Sequence, residues 1–163
     1  MPLGHPALKI CVLGDGRSGR SALAAALAPA RTHHRGVRVT TWIDPNTGAE
    51  CEVWDQDGCC LLDSLGQSYL ASADGFLVMV DARDPEGLAA VPVLLDAVQD
   101  LHGARPSRIV LNFLAGETAE TLDPPIHGVP VVRLDARCER EVRAMVSELV
   151  PEMIAFQRDH GTD

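Results

Sequence analysis

Apolar and polar positions alternate along the chain in blocks that change character every ten to fifteen residues. After a loose start, Met1 to His5, the run Ala7-Leu-Lys-Ile-Cys-Val-Leu13 is short, apolar and closed by glycine, which predicts a buried strand. A glycine-rich turn, Gly14 to Gly19, leads into Ser21 to Ala28, where Ala and Leu predict a helix ended by Pro29. The polar stretch Arg31 to Gly36 reads as a loop. Val37 to Ile43 and Ala49 to Trp54 read as two strands of a hairpin, reversed at Asp44-Pro-Asn-Thr-Gly48. Gln56 to Ser72 is mixed, with a helix expected over Leu61 to Leu70. Gly75 to Val80 is the most apolar run and predicts a central strand. Leu88, Val91, Leu94, Leu95 and Val98 recur at helical spacing within Pro85 to Leu101. Arg108 to Asn112 and Val129 to Leu134 predict the last strands, joined by a Pro- and Gly-containing loop through Gly128. Val142, Met145, Val146, Leu149 and Met153 mark one face of a final helix, Glu139 to Phe156. The alternation predicts one α/β domain spanning 1–163, its core about 7–157. The expected fold is a doubly wound, mostly parallel sheet with one antiparallel hairpin strand and helices on both faces.

Composition narrows the function classes. Of 163 residues, 46% are hydrophobic, enough for a real core, and 14 basic residues face 23 acidic ones for a net charge of −9. Neither nucleic acid nor an anionic membrane attracts such a polyanion, so neither is expected as a partner. No apolar run reaches the ~18 residues of a membrane span. Five cysteines without framework or metal-ligand spacing point to a reduced, cytoplasmic chain. Cys59-Cys60 read as small apolar residues, His33-His34 as part of a solvated loop, and Trp42 and Trp54 as packing the hairpin onto the core.

The segment Gly14-Asp-Gly-Arg-Ser-Gly-Arg-Ser21 fits two fingerprints. As Gly-x4-Gly-Lys-[Ser/Thr] it is a phosphate loop with Arg20 in the lysine position. As Gly14-x-Gly16-x-x-Gly19 it is the dinucleotide fingerprint of an NAD-binding domain, for which Asp44 is an imperfect ribose-binding acid. Both rest on glycines that let backbone N–H groups and the positive end of a helix converge on an anion. The hairpin favours the first reading, because a dinucleotide fold continues with a parallel strand. Its exit, Val53-Trp-Asp-Gln-Asp-Gly58, adds a carboxylate, Asp55, able to reach a Mg²⁺ whose other ligand is the Ser21 hydroxyl, and Gly58 offers a backbone N–H to a terminal phosphate.

With these segments in order, the chain resembles the Ras-like small GTPase superfamily. The resemblance is carried by Leu8 to Leu23, Trp54 to Gly58 and Tyr69 to Asp84, and Val131 to Cys138 occupies the place of the base-contacting loop. Bacterial MglA-type and conservon-type relatives look closest. The resemblance implies GTP or GDP with Mg²⁺ as ligand. Gly14, Asp15, Gly16, Arg17, Ser18, Gly19, Arg20, Ser21 and Gly58 would surround the phosphates, Asn112 and Ala136 the base, and Ser21 and Asp55 the Mg²⁺. It also implies protein partners that dock on the hairpin 37–54 and the segment 56–70.

The departures from the pattern each have a consequence. Arg20 keeps the charge of the expected lysine in a bulkier, planar fork. Ala115 replaces the carboxylate that pairs with guanine, a loss of several kcal/mol of selectivity when such pairing is left unmade. Cys59 stands where many relatives orient the attacking water with glutamine. Thr32, Thr40 and Thr41 are the candidates for a metal-binding threonine, and Arg17 for an internal arginine finger. The only lysine, Lys9, lies in the first strand. The expectation is therefore a pseudo-GTPase or very slow switch acting through protein partners, with no confident catalytic residue. The alternatives are a working GTPase that hydrolyses slowly or with an activating protein, and an NAD-binding domain.

Overall fold

The computed structural model describes residues 6–28, 31–34, 36–56, 69–113 and 126–161. In chain order the elements are β1 (Leu8–Leu13), α1 (Arg20–Leu27), β2 (Arg31–His34), β3 (Val37–Ile43), β4 (Glu50–Gln56), β5 (Gly75–Asp81), α2 (Pro85–His102), β6 (Ser107–Asn112), β7 (Val131–Leu134) and α3 (Glu139–His160). The sheet runs β2-β3-β4-β1-β5-β6-β7. β3 pairs antiparallel with both β2 and β4, and every other neighbouring pair is parallel.

Strands β1 and β5 lie in the middle and are covered on both faces, which explains their unbroken apolar runs. Alternate side chains go to opposite sides. Leu8, Ile10, Val12, Leu77 and Met79 meet Leu23 and Leu27 of α1 and Val142, Val146 and Leu149 of α3. Cys11, Leu13, Phe76, Val78 and Val80 meet Val91, Leu95 and Val98 of α2. The final helix is tied to the sheet by a fork-to-fork pair, Arg108 to Glu152, at 2.5 and 3.1 Å. Among the described residues no helix is long and apolar enough to cross a membrane.

The structure corrects several boundaries. Arg31 to His34, expected in a loop, form β2 against β3, giving the backbone groups of that strand's outer edge a partner. The last strand starts at Val131, because Ile126 and Val129 close a separate tight turn with His127 and Gly128 at positive φ. The last helix continues past Phe156 to His160 and carries Pro151 in its interior. Of the helix expected over Leu61 to Leu70, only its end is described, where residues 69–71 are helical. Arg105 holds that turn by donating to the carbonyls of Ala71 and Ala73 at 3.0 and 2.7 Å.

The chain leaves β1 toward β4 and leaves β5 toward β6, so the connections diverge at the carboxyl ends of β1 and β5. Such a divergence opens the crevice where open α/β sheets hold ligands. Gly14 to Gly19 sit there.

Candidate phosphate-loop site

The loop folds on itself through Asp15. Its carboxylate accepts the Arg17 N–H at 2.8 Å and its carbonyl accepts the Ser18 hydroxyl at 2.8 Å. Ser18 is buried and points into the loop, whereas Arg17 is exposed. Two glycines are sterically required. A Cβ on Gly14 would lie 2.6 Å from both the Met79 carbonyl and Ser18 Oγ, and one on Gly19, at φ 95°, would lie 2.3 Å from Asn112 Nδ2. Gly16 has open space around it. Gly19 is also the residue before α1, so the first N–H groups of that helix open toward the same crevice. Next to the loop, a mostly apolar pocket of about 270 Å³ lies between Gly14, Val78 and the first turns of α2 at Gly87 and Val91.

The charged side chains around this loop form a compact cluster. Arg20 is buried against Asp55, with Nη1 3.2 Å from Oδ1, in ion-pair contact without hydrogen-bond alignment. Arg38, from β3, donates from Nη2 to Ser21 Oγ at 2.6 Å and to Asp55 Oδ2 at 3.1 Å. Ser21 Oγ donates to the same carboxylate oxygen at 3.3 Å. The Asp55 side chain is only 2% exposed, so its charge depends on these partners, because an unpaired carboxylate could not be held out of water. The structure brings Ser21 and Asp55, the pair expected around Mg²⁺, to within 3.3 Å and sets Arg38, which the sequence reading missed, against both. A signal was present: the tight turn at Asp44–Gly48 sets a register in which Arg38 stands directly opposite Asp55. Of the candidate metal-binding threonines, neither Thr40 nor Thr41 stands at the pair. Thr40 lies two residues farther along β3, opposite Val53, with its buried hydroxyl unpartnered among the described residues, and Thr41 is exposed on the other face.

This arrangement does not fit a Mg²⁺ bound between Ser21 and Asp55. Magnesium demands oxygen ligands at about 2.0–2.1 Å in near-octahedral geometry. Here one guanidinium nitrogen already bridges both oxygens, and a second guanidinium is in contact with the other carboxylate oxygen.

Asn112 joins the loop to the other side of the crevice. Its Nδ2 donates to the Ser18 carbonyl at 3.2 Å, its Oδ1 accepts the buried Ala136 N–H at 2.9 Å, and its own carbonyl accepts the Ala82 N–H at 3.1 Å. Ala82 and Ala136 are the middle residues of two equivalent turns, Asp81-Ala-Arg83 and Asp135-Ala-Arg137, that end β5 and β7. In each turn the aspartate accepts its arginine's backbone N–H at 2.9 Å and two guanidinium bonds at 3.0–3.1 Å. The Arg83 contacts hold the Asp81 carboxyl below its ordinary range. This repetition escaped the sequence reading, although the triplet Asp-Ala-Arg is written twice.

Other candidate residues have structural employment. Lys9 lies over the Trp54 ring, 4.0 Å from its centre, and donates to the Tyr69 carbonyl at 2.7 Å and Ser72 Oγ at 2.9 Å. Burial lowers its pKa against the pull of Cys11, Glu52 and Asp74. Trp42 is buried in the core beside α3, while Trp54 is half-buried beside Tyr69. Asp44 sits at the far end of β3, beyond the Leu8 end of β1, which is itself six residues, roughly 20 Å at 3.3 Å per residue, from Gly14. Its carboxylate is spent on Ser147 Oγ at 2.5 Å and Thr47 Oγ1 at 2.6 Å, so it cannot serve a ribose at the loop. Burial pushes the Cys11 and Cys51 thiols up to about 12. Gly58, Cys59, Cys60 and Ala115 lie outside the described residues, as does most of the segment 56–70; among the described residues no cluster of His, Cys, Asp and Glu could hold a metal. No family model matches the chain, and no curated protein matches it.

Proposed function

We propose that the chain is a degenerate small-GTPase-like domain, a pseudo-GTPase that works by binding protein partners rather than by hydrolysing GTP. The observation that carries this reading is the position of Arg20. The loop cation that a phosphate-loop enzyme directs at the phosphates is here buried against Asp55. Retrieving it would leave a carboxylate that is 2% exposed with one partner fewer, and breaking a buried pair costs about 3–5 kcal/mol. Substitution of Ala115 and Cys59 at the base and water positions supports the same reading from the sequence. The hairpin 37–54, whose tip leaves Ile43 62% exposed, is the partner surface that this reading uses.

The test is the nucleotide carried through purification, released by denaturation and separated by ion-exchange chromatography, followed by thermal melting with GTP or ATP and Mg²⁺. The protein is expected to carry no guanine nucleotide and to melt at the same temperature with each. A GTP-selective, Mg²⁺-dependent rise in Tm overturns the reading. It would favour a second one, a slow working GTPase, for which the intact Asn112 strut between the loop and the Ala136 turn speaks.

A further inference from the structure

We infer that Arg38 is a resident cation that takes the place of a divalent metal at the phosphate loop, so that the Ser21–Asp55 pair neither binds nor requires Mg²⁺. This deepens the proposed function, resting on Ser21 and Asp55 as the pair that would otherwise hold the ion.

A metal at this position would have two structural tasks: to neutralise a carboxylate at the end of β4, and to clamp that strand to the first turn of α1 through the serine hydroxyl. Arg38 performs both. Its Nη2 lies 2.6 Å from Ser21 Oγ and 3.1 Å from Asp55 Oδ2, within the range of charge-assisted hydrogen bonds. Its backbone is fixed directly opposite Asp55 in the β3–β4 ladder, so the guanidinium is delivered by the sheet and not by a mobile side loop. Its side chain is 22% exposed and Asp55 2% exposed, which leaves the pair screened from water. An arginine cannot release its proton at any pH a protein survives, so this cation is permanent. Arg20 adds a second positive charge on Oδ1. A divalent ion entering between Ser21 and Asp55 would have to displace one guanidinium while facing another, and its charge would repel both. The same contact gives the hairpin a direct mechanical link to the loop. Arg38 thus ties β3, in the strand pair that the proposed function gives to partners, to the loop that it derives from a nucleotide site.

The probe is Mn²⁺ alone, with free ion followed by its electron paramagnetic resonance signal. Wild type and Asp55→Asn are expected to take up the same amount, since none is held at Asp55. Arg38→Gln is expected to gain uptake that Arg38→Gln/Asp55→Asn loses again, and Arg38→Lys, which keeps a cation, is expected to match wild type. Uptake by wild type that falls in Asp55→Asn overturns the inference, as does an Arg38→Gln protein that gains nothing. Should Arg38→Gln not fold, amide resonances of the ¹⁵N-labelled wild type decide the matter. Paramagnetic broadening is expected at exposed acidic surfaces and not at Ser21 and Asp55, and selective broadening of those two amides refutes the assignment. A GTP-selective rise in Tm that is identical in EDTA and in Mg²⁺ would overturn the proposed function and leave this inference standing.

Discussion

Asn112 is the side chain whose loss should be felt most widely around the crevice, because one amide serves two loops. Asn112→Ala removes the bond to the Ser18 carbonyl at 3.2 Å and the bond from the Ala136 N–H at 2.9 Å. Ala136 is fully buried, so its N–H loses its acceptor away from bulk water. An orphaned buried donor costs about 1–3 kcal/mol, and an ordinary hydrogen bond about 1 kcal/mol, giving roughly 2–4 kcal/mol in all. For a chain of this length each kcal/mol moves Tm by about 2–4 °C, so a fall on the order of 5–15 °C is expected. Urea unfolding followed by tryptophan fluorescence measures it directly, with Trp42 in the core as reporter. Asn112→Asp sharpens the comparison. The carboxylate still accepts from Ala136 but turns an acceptor toward the Ser18 carbonyl, so its loss should be intermediate. If Asn112→Ala loses less than about 0.5 kcal/mol, the strut is not holding the two loops and the reasoning fails.

Further expectations test other parts of the structure. Gly19→Ala should cost at least about 2 kcal/mol, from positive-φ strain and a Cβ 2.3 Å from Asn112 Nδ2, whereas Gly16→Ala, facing open space, should be neutral or slightly stabilising; equal unfolding midpoints for the two would contradict the loop geometry. At Asp44, burial raises the pKa, but bonds from Ser147, Thr47 and the Asn46 and Thr47 N–H groups outweigh it and leave the carboxyl below its ordinary 3.8. Its folded pKa being depressed, the stabilisation is complete above about pH 4 and is lost as pH falls through the folded value. Ser147→Ala should therefore cost about 1–2 kcal/mol at pH 7 and progressively less below pH 4; a pH-independent loss would show that the bond to Asp44 is not its cause. Cys11 and Cys51, buried and with thiols at about 12, should resist iodoacetamide at pH 8 while the half-buried Cys138 reacts, as read by peptide mass spectrometry; alkylation of Cys11 before Cys138 in folded protein would contradict the packing.

Much of this architecture is written locally. The unbroken apolar runs of β1 and β5, the helical spacing in α2 and α3, and the turn at Asp44–Gly48 each need only short-range chemistry, and each appears within a few residues of where the pattern predicts it. The loop between β1 and α1 is equally legible, because glycine at Gly14 and Gly19 answers to local crowding. β2 is not: Arg31 to His34 carry no strand signal and pair because β3 offers a free edge. The site is divided in the same way. Sequence order sufficed to bring Ser21, Asp55 and Asn112 toward one crevice, since a parallel sheet gathers the carboxyl ends of its strands on one edge. What fills the space between Ser21 and Asp55 was decided by β3, which runs against the other strands and so delivers Arg38, from its beginning, to the edge where they end. The long reach of Asn112, 94 residues back to Ser18, is likewise a product of neighbouring strands and not of any spacing along the chain. Short-range pattern determines which segments form strands, helices and turns. The pairing of distant segments determines which charge meets which, and here it sets Arg38 against Ser21 and Asp55 beside the glycine loop.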